Sequence, residues 1–313
     1  MTLVSIVTPS FNQAQFLEQT IRSVLDQDYP RIEYFIVDGG SRDGSVDILK
    51  KYANKLAWWI SEKDAGQADA INKGMSRVKG EIVAWLNSDD YYLPGAIRSA
   101  VDTFARHPEV VLIYGDVRAV DEKGRTINLI RYDQLSIEDL LCFEIIGQSS
   151  VFMRRYALEK AGKLDPALHF LLDHQLWIRI ARLGRLLHVP EVWSAARYHT
   201  AAKNRAQAVD FGREAFKVLE WVREDTNLAA TYSRVRRRAT ASAHRFNARY
   251  YLDGGRPWSS MQSWIRSFWI HPATGLARLN IFISAFLELV GLSVIRRAIL
   301  RLRRDRLSVK GAA

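Results

Sequence analysis

The stretch Ile82-Val83-Ala84-Trp85-Leu86-Asn87-Ser88-Asp89-Asp90 decides how this chain is read. Its first four residues are a short apolar run, and such a run reads as a buried strand. Two adjacent acids close the stretch, just ahead of Tyr91-Tyr92-Leu93-Pro94. Acids at the end of a buried strand face a loop and are poised at a cleft. Mg²⁺ takes oxygen ligands and is typically held by one or two carboxylates together with substrate phosphates. The stretch therefore points to a metal–diphosphate site, with Asp89 and Asp90 as its candidate ligands. Ser and Asp also favour turns, so the same residues taken alone read as a capped turn. Their neighbours separate the two readings.

Outward from this stretch, strand-like and helix-like segments alternate. Residues 3–8 read as strand, 16–26 as helix, 34–37 as strand and 46–52 as helix. Strands at 56–60, 81–86 and 110–114 are separated by helices at 68–78 and 94–107. This rhythm predicts an α/β fold, a mostly parallel sheet flanked by helices. In such sheets ligands bind at the carboxyl ends of the strands. The polar sets Thr8-Pro9-Ser10-Phe11-Asn12, Asp38-Gly39-Gly40-Ser41 and Asn87-Ser88-Asp89-Asp90 all fall at such ends. The second set continues as Arg42-Asp43-Gly44 before a helix. Its glycines let the backbone approach a ligand closely, Asp38 suits hydrogen bonds to a base or ribose, and Ser41 or Asp43 suits a helix cap. A dinucleotide fold would want G-x-G-x-x-G after the first strand, and Thr8–Asn12 holds none, which argues against nicotinamide chemistry.

From Gly115 the rhythm changes. Asp121-Glu122-Lys123-Gly124 reads as a hairpin turn, 149–153 as a strand, 171–183 as a helix, and 188–199 as strand pieces broken at Pro190. From about Gln207 the chain reads as all-helical. Residues 239–272 form a helix–turn–helix pattern, with Asp253-Gly254-Gly255 as the turn and Pro272 as the stop. We expect a catalytic domain over 1–206 and a helical C-terminal region over 207–313. Cys142 is the only cysteine of the 313 residues, so no intrachain disulfide forms. That and the lack of a basic-then-apolar leader lead us to expect a cytoplasmic protein, placed at the inner face of the membrane. The net charge of +11 points to an anionic partner. It is concentrated in Arg234, Arg236, Arg237, Arg238, Arg245 and Arg249, and again in Arg296, Arg297, Arg301, Arg303, Arg304 and Arg306.

The motifs over residues 5–12, 36–44, 70–74 and 86–90 resemble, in order, those of family 2 glycosyltransferases. So does Gly147-Gln148-Ser149-Ser150-Val151-Phe152-Met153-Arg154-Arg155. Asp173-His174-Gln175-Leu176-Trp177-Ile178-Arg179 resembles the pattern that ends the family's catalytic domain. The resemblance runs from about residue 3 to residue 200. It implies the GT-A fold, a nucleotide-diphosphate sugar donor and inversion at the anomeric carbon. It places the base and ribose near Thr8, Pro9, Phe11 and Asp38, and the nucleotide near Asn72. Gly39, Lys73, Asn87 and Ser88 complete the expected donor side, Lys73 as a phosphate partner. Asp89 falls on the second acid of the family's D-x-D motif, as principal ligand of Mg²⁺ or Mn²⁺. Asn87 stands at the first position, where the family has Asp. Asp90 is the expected second ligand, and His199 a further one.

Inverting transfer needs a base for the acceptor hydroxyl and positive charge at the departing diphosphate. Asp173, opening a helix whose Leu176, Trp177 and Ile180 pack inward, is the expected base. An acid in a first helical turn also complements the helix dipole, so the residue has a structural reading too. Leu172 stands where the family often has an acid. Gln148 and His174 are expected on the acceptor side, and Arg197 at the diphosphate.

Residues 279–295 are strongly apolar but short and charged for a spanning helix. With the arginine-rich run that follows, they read as an interfacial helix on anionic headgroups, and Trp258, Trp264, Phe268 and Trp269 suit an interfacial belt. Packing on the catalytic domain is the competing reading. The partners expected are thus a nucleotide sugar, a glycan or lipid-linked acceptor and an anionic membrane surface, with no nucleic acid. Surface polysaccharide or glycolipid assembly is the expected pathway. A nucleotidyltransferase, and a non-enzymatic basic protein binding nucleic acid or membrane, are the alternatives. The first would want a Gly- and Arg-rich loop that Thr8–Asn12 lacks. The second leaves the ordered acids unexplained.

Overall fold

A computed structural model describes residues 1–198 and 207–292 of the chain. These divide into two compact units, residues 1–136 with 146–198, and residues 137–145 with 207–292.

The first unit is built on one sheet. In chain order its elements are β1 (Val4–Ser10), α1 (Ala14–Leu25), β2 (Ile32–Asp38), α2 (Ser45–Tyr52), β3 (Trp58–Ser61), α3 (Gln67–Met75), β4 (Ile82–Trp85), β5 (Tyr91–Tyr92), α4 (Ala96–Arg106), β6 (Val110–Val120) and β7 (Thr126–Ile130). After α5 (Ile137–Leu141), which belongs to the second unit, come β8 (Val151–Arg154), α6 (Arg155–Ala161), α7 (Leu172–Ala181) and β9 (Arg185–Arg197). The strand order is β3-β2-β1-β4-β8-β6-β9-β5, with β7 paired to β6.

The first four strands are parallel, as the βα rhythm predicts. The inner pair is covered on both faces, every residue of β1 and β4 being buried, whereas β3 at the edge is half-buried throughout. The register sets Ser10 beside Asp38 and Asp38 beside Ser61, so three polar strand ends finish in line. α1 presents Phe16, Leu17, Ile21 and Val24 to this sheet's core. Trp59 packs on the core, and its neighbour Trp58 is covered by the Arg77 guanidinium at 4.0 Å.

The second half of the sheet is mixed. β8 runs antiparallel to both β4 and β6, whereas β6 and β9 are parallel. The β6–β9 register slips on either side of Asp116. Gly115 is required there, because a Cβ would lie 2.6 Å from the Trp193 ring and 2.7 Å from the Glu191 carbonyl. The bulge and the crossover are long-range features, which explains why the sequence shows only broken strand pieces at 188–199. The Asp121–Gly124 turn forms as expected, the Gly124 N–H donating to the Asp121 carbonyl at 2.9 Å.

The second unit comprises α5 and the helices α8 (Ala208–Glu224), α9 (Ala229–Asp253), α10 (Pro257–Ile270), α11 (Pro272–Leu276) and α12 (Leu279–Leu289). α9 stops at the predicted Asp253-Gly254-Gly255 turn, with Gly255 at φ 69°. Ala248, Leu252, Trp264, Ile281 and Ala285 form its local core. Residues 137–145 belong here, although they lie within the stretch the sequence assigns to the catalytic domain. Ion pairs hold them: Arg234 reaches Glu138 at 2.7 Å, Arg245 reaches Glu144 at 2.9 Å, and Arg238 pairs with Asp139. Arg249 also pairs with Asp253 at 2.6 Å, so four of the six arginines in the first cluster have acidic partners within their own unit. The second cluster, from Arg296, lies outside the described residues. Among the described residues no helix is long and apolar enough to cross a membrane.

Candidate active site

The acidic loop continues β4 by one residue, the Leu86 N–H donating to the Val7 carbonyl at 2.9 Å. It then turns, with Asp90 N–H donating to Asn87 C=O at 3.1 Å. The loop is held from two sides. From α1, the Thr20 hydroxyl is 2.9 Å from the Ser88 carbonyl and 2.7 Å from that of Asp90. From the end of β9, Arg197 donates its Nε to the Asp89 carbonyl at 3.0 Å and its backbone N–H to Asp90 Oδ1 at 2.9 Å.

The rest of the Arg197 guanidinium donates to the carbonyls of Asp121 and Glu122 and to Gln19 Oε1, and it stacks over Phe16 at 4.5 Å. Arg197 is buried. The structure thus makes it a clamp on the acidic loop, in place of the diphosphate contact its sequence position suggests. Asp90 is buried too, and burial together with the neighbouring Asp89 charge pushes its carboxyl well above the usual carboxylate range. Asp89 is half-buried.

Beside this loop, the ends of β1 and β2 are tied together. Asp38 is fully buried. It accepts from Gly40 N–H at 3.1 Å, Ser41 N–H at 2.9 Å, Ser41 Oγ at 2.5 Å and Ser61 Oγ at 2.7 Å. Asn12 then bridges the loops, its N–H donating to Ser41 Oγ at 2.7 Å and its Oδ1 accepting from Arg42 N–H at 3.0 Å. At Gly39 a Cβ would sit 2.7 Å from an Asp64 carboxylate oxygen, so the Asp64 side chain closes over this glycine and would have to swing away from any larger residue. Thr8 and Pro9 are buried, and the Thr8 hydroxyl is 2.9 Å from the Tyr34 hydroxyl. Phe11 stands out at 58% exposed, a flat apolar ring at the junction of the two loops.

The other donor-side residues lie on or near α3. Gln67, at its start, donates to Asn87 Oδ1 at 2.9 Å and so orients the amide that replaces the expected acid. The sequence gives no signal for this beyond a polar residue opening a helix at the strand ends. Asn72 exchanges two hydrogen bonds of 2.9 Å with the backbone of Leu164. It also lines an apolar cavity of about 250 Å³, walled by Ile71, Met75, Trp85, Leu164 and Leu176 and containing none of the strand-end acids. Lys73 pairs with Glu62 at 2.5 Å, which raises the pKa of its ammonium.

On the other flank, α7 meets the end of β4. Trp177 stacks on Trp85, ring centroids 5.1 Å apart. Asp173 lies one helical turn before Trp177, in the first turn of α7, and its Oδ1 accepts from His174 N–H at 2.7 Å. Gln148 donates its Nε2 to the Trp85 carbonyl at 2.7 Å. Its Oε1 is buried and has no hydrogen-bond partner among the described residues. Burial raises the phenol of Tyr132, a residue sequence reading passes over; Tyr198, Asp116 and Asp173 push it the same way, against a hydrogen bond from the Gly147 N–H. Asp116 in turn pairs with His188 at 2.8 Å. His174 is almost fully buried, which places it in the body of the unit. Gln148 and α7 thus both meet Trp85, the residue that ends β4 just before the acidic loop. His199 lies outside the described residues.

The profile of glycosyl transferase family 2 matches residues 5–178. The chain belongs to glycosyltransferase family 2. Its curated relatives include an uncharacterized glycosyltransferase of Rickettsia typhi, 29% identical over 207 residues, 64% of this chain and 65% of that one. A putative teichuronic acid biosynthesis glycosyltransferase of Bacillus subtilis is 30% identical over 188 residues, 58% of this chain and 73% of the relative. The matched part is 34% of the length of a Rickettsia conorii relative, so this chain spans less than two thirds of several of these proteins. Among solved structures, S. aureus TarS residues 1–349 in complex with UDP-GlcNAc superposes with a TM-score of 0.57 at 14% identity, covering 90% of this chain and 91% of that one. A Pyrobaculum calidifontis mannosyltransferase in complex with GDP-Man and Mn²⁺ gives 0.59 at 18%, covering 99% and 86%. At these identities the likeness establishes the GT-A fold.

The donor set at the acidic loop suits a hard divalent cation. Asp89 offers a carboxylate and Asn87 an amide oxygen, whereas Asp90 is turned to the β9 backbone. Among the described residues no three His, Cys, Asp or Glu side chains form a metal-holding group. Mg²⁺ is commonly held by one or two protein carboxylates, with substrate phosphates and water as its other ligands.

Proposed function

We propose that this protein transfers a sugar from a nucleoside-diphosphate donor to a hydroxyl acceptor, with inversion. What supports the proposal is that Gln148 bonds the Trp85 carbonyl and Trp177, one helical turn after Asp173, stacks on Trp85, four residues before Asp89. The Asp173 carboxylate takes the proton of the acceptor hydroxyl. The freed oxygen attacks the anomeric carbon from the side opposite the diphosphate, the C–O bond to the diphosphate breaks, and the nucleoside diphosphate leaves with the electron pair. One carboxylate base suffices for this single displacement. Gln148 Oε1, buried and still able to accept, suits an acceptor hydroxyl. Phe11 suits stacking on the base, above a loop that Asp38 makes rigid. Mg²⁺ or Mn²⁺ held by Asp89, with Asn87 beside it, would neutralise charge on the departing diphosphate.

UDP-GlcNAc and GDP-Man, bound by the structural neighbours, are the first donors to test. The putative teichuronic acid biosynthesis relative favours a growing surface polysaccharide, free or lipid-linked, as acceptor. A cytoplasmic location follows from the donor, since nucleotide sugars are made there.

The test is a panel of nucleotide sugars assayed for hydrolysis and transfer with Mg²⁺, Mn²⁺ or EDTA. One donor should turn over only with metal. Asp173→Asn should bind that donor with unchanged affinity and lose transfer by ~10²-fold or more, the range for a general base. An Asp173→Asn enzyme that transfers at the normal rate removes Asp173 from the base role.

A further inference from the structure

The helical unit carries an apolar surface that its own core does not use. Of the fourteen exposed large hydrophobic residues among those described, ten fall between Trp258 and Leu292. On α10, Trp258, Ile265 and Trp269 follow at intervals of seven and four, so they share one helix face. Trp264 and Phe268, expected from sequence to join them, face inward, where Trp264 donates its Nε1–H to the Gly275 carbonyl at 3.0 Å. On α12, Ile281 and Ala285 point into the core while Leu279, Ile283, Phe286 and Val290 share an exposed stripe. α12 is thus apolar on two sides, with Asn280, Ser284 and Glu288 on a single polar stripe between them. A helix apolar nearly all round belongs in a core or in lipid. Ten large apolar side chains exposed between Trp258 and Leu292 mark an interaction surface, unlike hydrophobic residues scattered singly.

We propose that these outward faces of α10 and α12 dock on an anionic lipid bilayer, inserting Trp269, Ile283 and Phe286 to the depth of the headgroup boundary. The charges select this occupant. Arg256, Arg266 and Arg278 are exposed on the same stretch, against the single acid Glu288. Residues 293–313, which continue directly from α12, contain seven Lys or Arg and one Asp. Basic residues flanking an apolar interfacial face attract anionic headgroups. A second copy of this chain would bring together two proteins that each carry +11, so like charges oppose that occupant. Two tryptophans at the edge of the face also match the preference of indole for the bilayer interface. The proposal does not depend on the transfer reaction, so its test and the donor assay fail separately.

The test is flotation of the full chain with vesicles of phosphatidylcholine alone, or of phosphatidylcholine with one-third phosphatidylglycerol. Binding is expected to the anionic vesicles, weakened by salt. The double variant Trp269→Gln, Phe286→Gln should keep its circular dichroism, because the two side chains are 76% and 48% exposed. It should lose binding by ~10²-fold, about tenfold for each large apolar side chain kept out of lipid. Replacing Arg296 and Arg297 by Gln should weaken binding to anionic vesicles. Three outcomes overturn the proposal. The wild-type chain stays unbound with both vesicle types. Light scattering shows a dimer that the double variant converts to monomer. Or a chain ending at Leu292 binds vesicles that the full chain does not, which would mean that the tail covers the face.

Discussion

Asp38 and Asp89 end neighbouring parts of one sheet edge, and the structure treats them differently. Asp38 is fully buried with four donors on its two oxygens. Asp89 is half-buried, and the bonds that hold its loop fall on the backbone carbonyls of Ser88, Asp89 and Asp90 and on the Asp90 side chain. One loop is organised by an acid at its centre. The other is organised around an acid by neighbours. The same residue type at the same kind of strand end is an internal brace in one case and a candidate ligand in the other. What separates them is burial: Asp38 is fully enclosed by its loop, whereas Asp89 keeps part of its surface open to solvent.

Mutations along this edge break or sharpen the contrast. Asp89→Ala has the largest expected effect on turnover. If its carboxylate holds the cation at the diphosphate, several kcal/mol of charge stabilisation go with it, a loss of ~10³-fold at ~1.4 kcal/mol per decade. Melting temperature should hardly move, because the loop is held by Thr20 and Arg197. An active Asp89→Ala enzyme would erase the distinction. Asp38→Ala should behave in the opposite way, costing about 3 kcal/mol in denaturant unfolding, since buried donors lose their acceptor. An unchanged midpoint would show that Asp38 is not the brace its hydrogen bonds describe.

Asp90→Asn sharpens the comparison from inside the loop. Burial and the Asp89 charge already oppose an ionised carboxyl at this position, and an amide oxygen still accepts the Arg197 N–H. Activity should stay within about tenfold of wild type, a tolerance the electrostatics of a neutral pair allows. A loss as deep as that of Asp89→Ala would promote Asp90 to a ligand. The smallest effect belongs to Ser61→Ala, which removes one of the four donors to Asp38 and should cost ~1–2 kcal/mol of stability without changing donor affinity.

The order of strands and helices through Val110, and the strand ends that carry Asp38 and Asp89, were legible in the chain alone. Period and apolar runs are local properties, and parallel strands buried on both faces write them plainly. The six motifs in sequence also identified the family. Tertiary contacts settled everything that depends on distant partners. Arg197 reads from sequence as a diphosphate contact, yet it closes on residues 75 to 178 positions away. Gln67 and Tyr132 carry no local mark at all. Arg234, Arg238 and Arg245 read as a surface for an anionic partner, and three of their acids come from residues 138–144. A sequence states which groups carry charge and where an element begins. Which groups neutralise one another is set when the chain brings far positions within hydrogen-bond reach, so the division between brace, clamp and reactive acid exists only in the folded protein.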